Sequence, residues 1–196
     1  MMPRAVALRI AGIAALALAL WIGVGMFDAQ RACAHDPRFA CSPRDAAHPV
    51  RIGDPQKSWA FYGRLAPMQR DTYAFDARRP LRVPWNLLIE RRDAGKAGRP
   101  TAQIFSANGT KVAERTISAG AAPFYEPFSG IHYLSSADTP IALPPGAYRI
   151  VVSMSGEPPG DGAQRYVLAI GEDERFTLGE IPYVLGAVLR VRTRGY

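Results

Sequence analysis

The amino-acid sequence predicts an all-β fold: an antiparallel, jelly-roll-like β-sandwich of about eight strands, preceded by an N-terminal apolar helix and followed by a short amphipathic C-terminal helix. Three observations carry that expectation. Short segments of alternating apolar and polar residues recur between Gly, Pro, Asn and Asp breakers from residue 58 to residue 171. Asn108-Gly109 stands between two of them, and both residues tolerate the positive φ that a tight hairpin turn requires. No segment of helical period and useful length interrupts the series.

At 196 residues, 48% of them hydrophobic, the chain suffices for one folded domain with a sizeable core and accessory segments. It begins with an uncharged run from Ile10 to Phe27, behind Arg4 and Arg9. Residues 1–27 therefore read as a signal-anchor or a signal peptide. The run is longer than a usual signal core, which favours retention as a transmembrane helix, while Ala32-Cys33-Ala34 and Gly23-Val24-Gly25 offer cleavage sites. Both readings put the remainder outside the cytoplasm: a single-pass protein of a bacterial inner membrane with its domain in the periplasm, or a secreted or periplasmic protein.

Residues 28–56 hold four prolines, two histidines and both cysteines, with little periodicity, and read as an extracytoplasmic tether. Cys33 and Cys41 are disulfide candidates in an oxidising compartment; two unpaired thiols are the other reading. His35 and His48 lie in the same stretch without ligand spacing, so no metal is expected there.

The sandwich is expected over residues 57–175. Ser58 to Leu65 and Asp71 to Ala77 form a first strand pair across Pro67. Leu81, Val83, Trp85, Leu87 and Ile89 alternate in the next segment, where Pro84 argues for an edge or a bulge because proline cannot donate to a ladder. Ala102–Ala107 and Lys111–Ile117 flank the Asn108-Gly109 turn. Residues 120–138 read as a long irregular connection rich in aromatics, in which Phe124, Tyr125, Phe128 and Tyr133 are candidate contacts for a protein partner or for sugar rings, unless they fold back onto the sandwich. Thr139–Leu143, Pro144–Ser153 and Gln164–Gly171 complete the set.

The tail, residues 176–196, is basic and amphipathic. Ile181, Val184, Leu185, Val188 and Leu189 share helical spacing, and Arg190, Arg192 and Arg194 follow where cations suit a helix C-terminus. Such a face can lie on a membrane, meet a partner or pack on the sandwich.

Taken together, Asp71-x-Tyr-x-Phe, the Leu81 to Leu87 alternation, Ala102-x-Ile-Phe before Asn108-Gly109, Leu143-Pro-Pro-Gly-Ala-Tyr-x-Ile-x-Val and Tyr166-x-Leu-x-Ile resemble bacterial pre-peptidase C-terminal domains. The resemblance covers about residues 58–171 and extends to exported single-domain bacterial proteins with a short apolar tail. It implies a jelly-roll-like sandwich with a non-catalytic role in binding or secretion, in some members with calcium or polymeric substrates. The dense acidic loop that calcium would need is missing, since Asp161, Glu172, Asp173 and Glu174 lack alternating ligand spacing.

No nucleophile elbow, zincin, Walker or dinucleotide pattern occurs. Ser129, His132 and Asp138 are close in sequence, but proximity in a loop does not build a triad. The net charge of +7 is spread singly along the strands, and only Lys57, Lys96 and Lys111 are lysines, so nucleic acid is not an expected partner. The expected function is a non-enzymatic binding or assembly module, without cofactor, held at the membrane by its N-terminal helix as an accessory subunit of a complex. The alternative is an exported module that binds a glycan or small ligand.

Overall fold

The computed structural model describes residues 36–39, 44–94, 99–118, 120–126, 129–136, 139–155, 163–175 and 180–194. Strands dominate: β1 (Asp36–Phe39), β2 (Val50–Arg51), β3 (Trp59–Leu65), β4 (Arg70–Ala77), β5 (Leu81–Val83), β6 (Trp85–Glu90), β7 (Arg99–Ser106), β8 (Lys111–Thr116), β9 (Pro123–Glu126), β10 (Ile131–Ser135), β11 (Ile141–Leu143), β12 (Gly146–Ser155) and β13 (Gln164–Ile170), followed by helix α1 (Ile181–Arg194). The six-stranded sheet runs β1-β3-β13-β6-β10-β9 and the five-stranded sheet β2-β4-β12-β7-β8, while β5 and β11 form a separate ribbon. The all-β sandwich expected from the alternation is the fold observed.

Alternation explains the core. On β12, Tyr148, Ile150 and Val152 point inward and are buried while Ala147 and Arg149 are exposed, and the same parity on β13 sends Tyr166, Leu168 and Ile170 inward. These meet Phe61, Leu65, Tyr73, Phe75, Trp85, Leu87 and Ile104 in one continuous cluster between the sheets. Complete burial of each such side chain contributes about 1.5–3 kcal/mol. The hairpin at Asn108-Gly109 forms as predicted: Gly109 takes φ +84°, its N–H donates to the Ser106 carbonyl at 2.9 Å, and Asn108 Oδ1 accepts from Thr110 N at 3.0 Å.

Three departures from the sequence reading are informative. Pro84 marks neither an edge nor a bulge but the point where one continuous alternation splits. Before it, β5 pairs with β11; after it, β6 enters the middle of the six-stranded sheet between β13 and β10. Lacking an N–H, proline ends the first ladder, and its own carbonyl accepts from Gly171 N at 3.0 Å. Second, part of the stretch read as a tether is built into the sandwich. β1 runs parallel to β3 and β2 parallel to β4, Ile52 is buried, and Arg44 lies against the buried Asp71, so the sheets are mixed at those edges. Third, residues 123–135, read as irregular, make the β9–β10 hairpin, closed by Gly130 at φ +71° with its N–H on the Glu126 carbonyl at 2.9 Å.

The six-stranded sheet is apolar on its outer face as well. Ala60 and Tyr62 of β3, Leu88 of β6, Tyr133 of β10, and Val167 and Ala169 of β13 are all buried there, together with Val191 of α1. A sheet apolar on both faces needs a cover, and α1 supplies it, packing beside β1.

Candidate functional site

The side chains singled out in the sequence divide into exposed and buried sets. Phe124 and Tyr125 lie on β9, the outermost strand of its sheet, and remain 44% and 52% exposed. The Tyr125 ring rests 4.9 Å from that of His132, its partner across the hairpin. Tyr133 is different: at 1% exposed it belongs to the apolar row beneath α1, so its ring is not a surface contact. Strand alternation is the reason, because Tyr133 shares the outer face with Leu88 and Val167 near the sheet centre. Phe128 lies outside the described residues, as do Cys33, Cys41 and Asp138 and the apolar N-terminal run. Ser129 is buried.

Helix α1 forms where the periodicity placed it, but turned about its axis. Val184, Ala187 and Val191 are buried and Val188 is half-buried, whereas Leu185 and Leu189 are 61% and 66% exposed. The side chain of Ile181 is outside the described set. Small and β-branched residues let the helix approach the sheet closely, which the sum of apolar residues along the helix does not register. Arg190 covers Phe39, its guanidinium 4.3 Å from the ring centroid, while Arg38 lies 4.8 Å from the Tyr183 ring and 5.1 Å from that of Trp59. At the start of α1, Glu180 accepts from Lys57 Nζ at 2.8 Å and Lys57 also meets buried Asp36 at 2.9 Å. Burial pulls the Lys57 ammonium down, but the bonds to Glu180 and Asp36 outweigh it and its pKa is raised.

Between the sheets, Asp71 is fully buried and collects Tyr166 Oη at 2.6 Å, Gln69 Nε2 at 2.8 Å and Arg44 Nε at 3.1 Å, while Tyr73 and Tyr166 share a hydrogen bond of 2.7 Å. Burial pushes the Asp71 carboxyl above its ordinary value against the pull of these partners, and burial likewise raises both tyrosines. This is a clasp between the two sheets and the segment before β2.

One cleft among the described residues was not singled out in the sequence. Where β6 ends, the 3₁₀ turn Arg91–Asp93 begins, and the C-terminal end of α1 passes nearby. Between them lies a cleft of about 670 Å³ lined by Arg91 and Arg92 of the turn, Arg165 of β13 and Arg192 of α1, over a base that includes Ile131 and Val191. Arg165 points outward by the same parity that places Val167 and Ala169 on the outer face. Glu90 is the carboxylate among the described lining residues; it is 2% exposed and ion-paired with Arg92 Nε. The cleft is thus strongly cationic at its rim. No group of three or more metal-ligating side chains occurs among the described residues, and none of their helices is long and apolar enough to cross a membrane.

No family model matches the chain, and no curated protein matches it. Among solved structures it is similar to the pre-peptidase C-terminal domain of a collagenase from Bacillus anthracis, at 16% identity and TM-score 0.39 over 67% of this chain and 99% of that one. It is also similar to PliG of Salmonella Typhimurium, a periplasmic inhibitor of g-type lysozyme, at 16% identity and TM-score 0.36 over 62% and 96% of the two chains. A β-glucosidase from Paenibacillus barengoltzii matches at 10% identity and TM-score 0.31, over 68% of this chain and 13% of the enzyme. The likeness to a pre-peptidase C-terminal domain expected from the strand motifs is present among these.

Proposed function

We propose that this chain is a non-enzymatic, extracytoplasmic binding module, tethered to the membrane by its N-terminal apolar run, that recognises a protein partner through the β9 edge. The observation that carries this reading is the pair of large side chains, Phe124 and Tyr125, left in water on the outermost strand. Aromatic rings in such a position supply contact area with few rotors to immobilise, which is why they recur as interface anchors. Leu185 and Leu189 of α1 are exposed as well. As the outermost strand of its sheet, β9 also presents an edge to which a further strand can add.

The test is to extract native membranes in mild detergent, purify the full-length chain by a C-terminal tag, and compare the wild type with a Phe124→Ala/Tyr125→Ala variant. The expected result is an intact, uncleaved chain in stoichiometric complex with another protein, and loss of that protein from the variant at unchanged circular dichroism. A cleaved, solitary monomer retained on polysaccharide through the same two rings overturns this reading and makes the module a glycan binder.

A further inference from the structure

We propose that the outward side of α1 rests on the surface of the bilayer that anchors the chain, with Leu185 and Leu189 entering the boundary between headgroups and acyl chains. The inference rests on the membrane tether of the reading above and adds a second contact with the same bilayer, apart from the β9 edge.

α1 is apolar on two sides. Val184, Ala187 and Val191 are buried against the sandwich, whereas Leu185 and Leu189, one turn apart, are 61% and 66% exposed. Pro182 and Gly186 are exposed too, so Pro182, Leu185, Gly186 and Leu189 fall at i, i+3, i+4 and i+7, the spacing of one helical face. Single exposed leucines are ordinary on a protein surface, but a strip on one helix face marks a surface that meets an apolar medium. Docking on the sandwich uses the opposite side of the helix and leaves this strip in water.

Two observations select a lipid surface as what covers it. The first is chain length. β1, beside which α1 packs, begins at Asp36, and the uncharged N-terminal run ends at Phe27. The eight residues between them reach at most about 30 Å, roughly the width of a small domain, so an anchored run keeps the edge that carries α1 close to the bilayer. So short a linker makes the contact intramolecular, and at its high effective concentration two leucines suffice where a free helix would dissociate. The second is composition. From Ile181 to Tyr196 the sequence contains no Asp or Glu, so no carboxylate of the helix is repelled by a leaflet of negative charge. Glu180, just before it, is engaged by Lys57 at 2.8 Å. Tyr183, 42% exposed, adds a ring of the kind that settles at headgroup level.

The full-length chain, in a Cys33→Ser/Cys41→Ser background, is reconstituted into vesicles of phosphatidylethanolamine and phosphatidylglycerol. It carries one spin label, at Leu189→Cys or, as a control, at Val112→Cys, an exposed position on β8. Electron paramagnetic resonance then measures how readily the label is reached by oxygen, which partitions into lipid, and by a nickel chelate, which stays in water. The chelate is expected to be about tenfold less effective at Leu189→Cys than at Val112→Cys, with oxygen at least as effective, because a polar chelate is excluded from acyl chains. Leu185→Gln, a change at an exposed position that spares the core, is expected to restore most of the chelate's access to the label at 189. Equal chelate access at the two labels, in a chain that alkaline carbonate does not extract from the vesicles, overturns the proposal and leaves the tether standing. Poor access of both reagents at 189 assigns the leucines to contact with a second copy of the chain and overturns it as well. Extraction of the chain by carbonate shows that the apolar run is not an anchor, and the tether and this proposal then fall together.

Discussion

Gly63 and Tyr166 stand directly opposite each other where β3 meets β13, and the Tyr166 ring lies over Gly63 in the space that a Cβ there would occupy. The absent side chain at 63 is what lets Tyr166 reach across to Asp71 and Tyr73 on the other sheet.

Gly63→Ala should therefore destabilise the domain by about 1–3 kcal/mol, the range for overfilling a packed core. Urea unfolding of the single variants and of Gly63→Ala with Tyr166→Phe measures it. The two effects should be strongly non-additive, since both act on one ring; simple additivity would mean that the ring is not held by the glycine.

Arg44→Met removes the cation beside a fully buried carboxylate and should cost about 3–5 kcal/mol. Adding Asp71→Asn should restore much of that loss. The Asp71 carboxyl titrates higher in the folded protein than in the unfolded chain. Above the ordinary carboxylate range and up to that raised value the native state keeps a proton the unfolded state has released, so this contribution to stability falls as pH rises through that window. Asp71→Asn should remove that segment of the stability-pH curve, which denaturant titrations at several pH values would show.

Much of this architecture was legible beforehand, and the gaps have physical causes. β3, β4, β6, β7, β12 and β13 announce themselves by alternation, and the turn at Asn108-Gly109 by its backbone chemistry. β1 and β2 carry no such signal: they are four and two residues long, and Asp36-Pro37-Arg38-Phe39 reads as linker until its parallel pairing with β3 is seen. The arginine cleft was illegible for another reason. Arg91, Arg165 and Arg192 are far apart in sequence and look like scattered surface charge; only the outward parity of Arg165 next to the burial of Val167 and Ala169 hints that it borders a covered face.

Alkaline pH should destabilise the sandwich through its tyrosines. Burial holds Tyr62, Tyr73 and Tyr166 above the ordinary value of 10.0. Above that pH the unfolded chain loses phenolic protons that the native state retains, so stability falls as pH rises. Tyr62→Phe should make the decline shallower by about 1.4 kcal/mol per pH unit; an unchanged slope would show that Tyr62 ionises in the folded state.

Glu180→Gln loosens the join between α1 and Lys57. Because Glu180 is partly exposed, the effect on global stability should be small, and the sensitive readout is local. Amide hydrogens of α1 should exchange about threefold faster while those of β12 stay unchanged. Uniform acceleration in both elements would show that the helix does not open separately.

Arg38 and Glu180 meet at 3.4 Å although 142 residues separate them along the chain. Contacts of such range arise late, because a long loop must close before they stabilise anything, and folds rich in them acquire their structure slowly. Throughout that interval the row formed by Ala60, Tyr62, Val167 and Ala169 has no cover, and a two-faced apolar sheet in that condition adheres to other chains. Docking of α1 is thus the step that takes this row out of water and closes the surface through which the sheet could adhere to another chain.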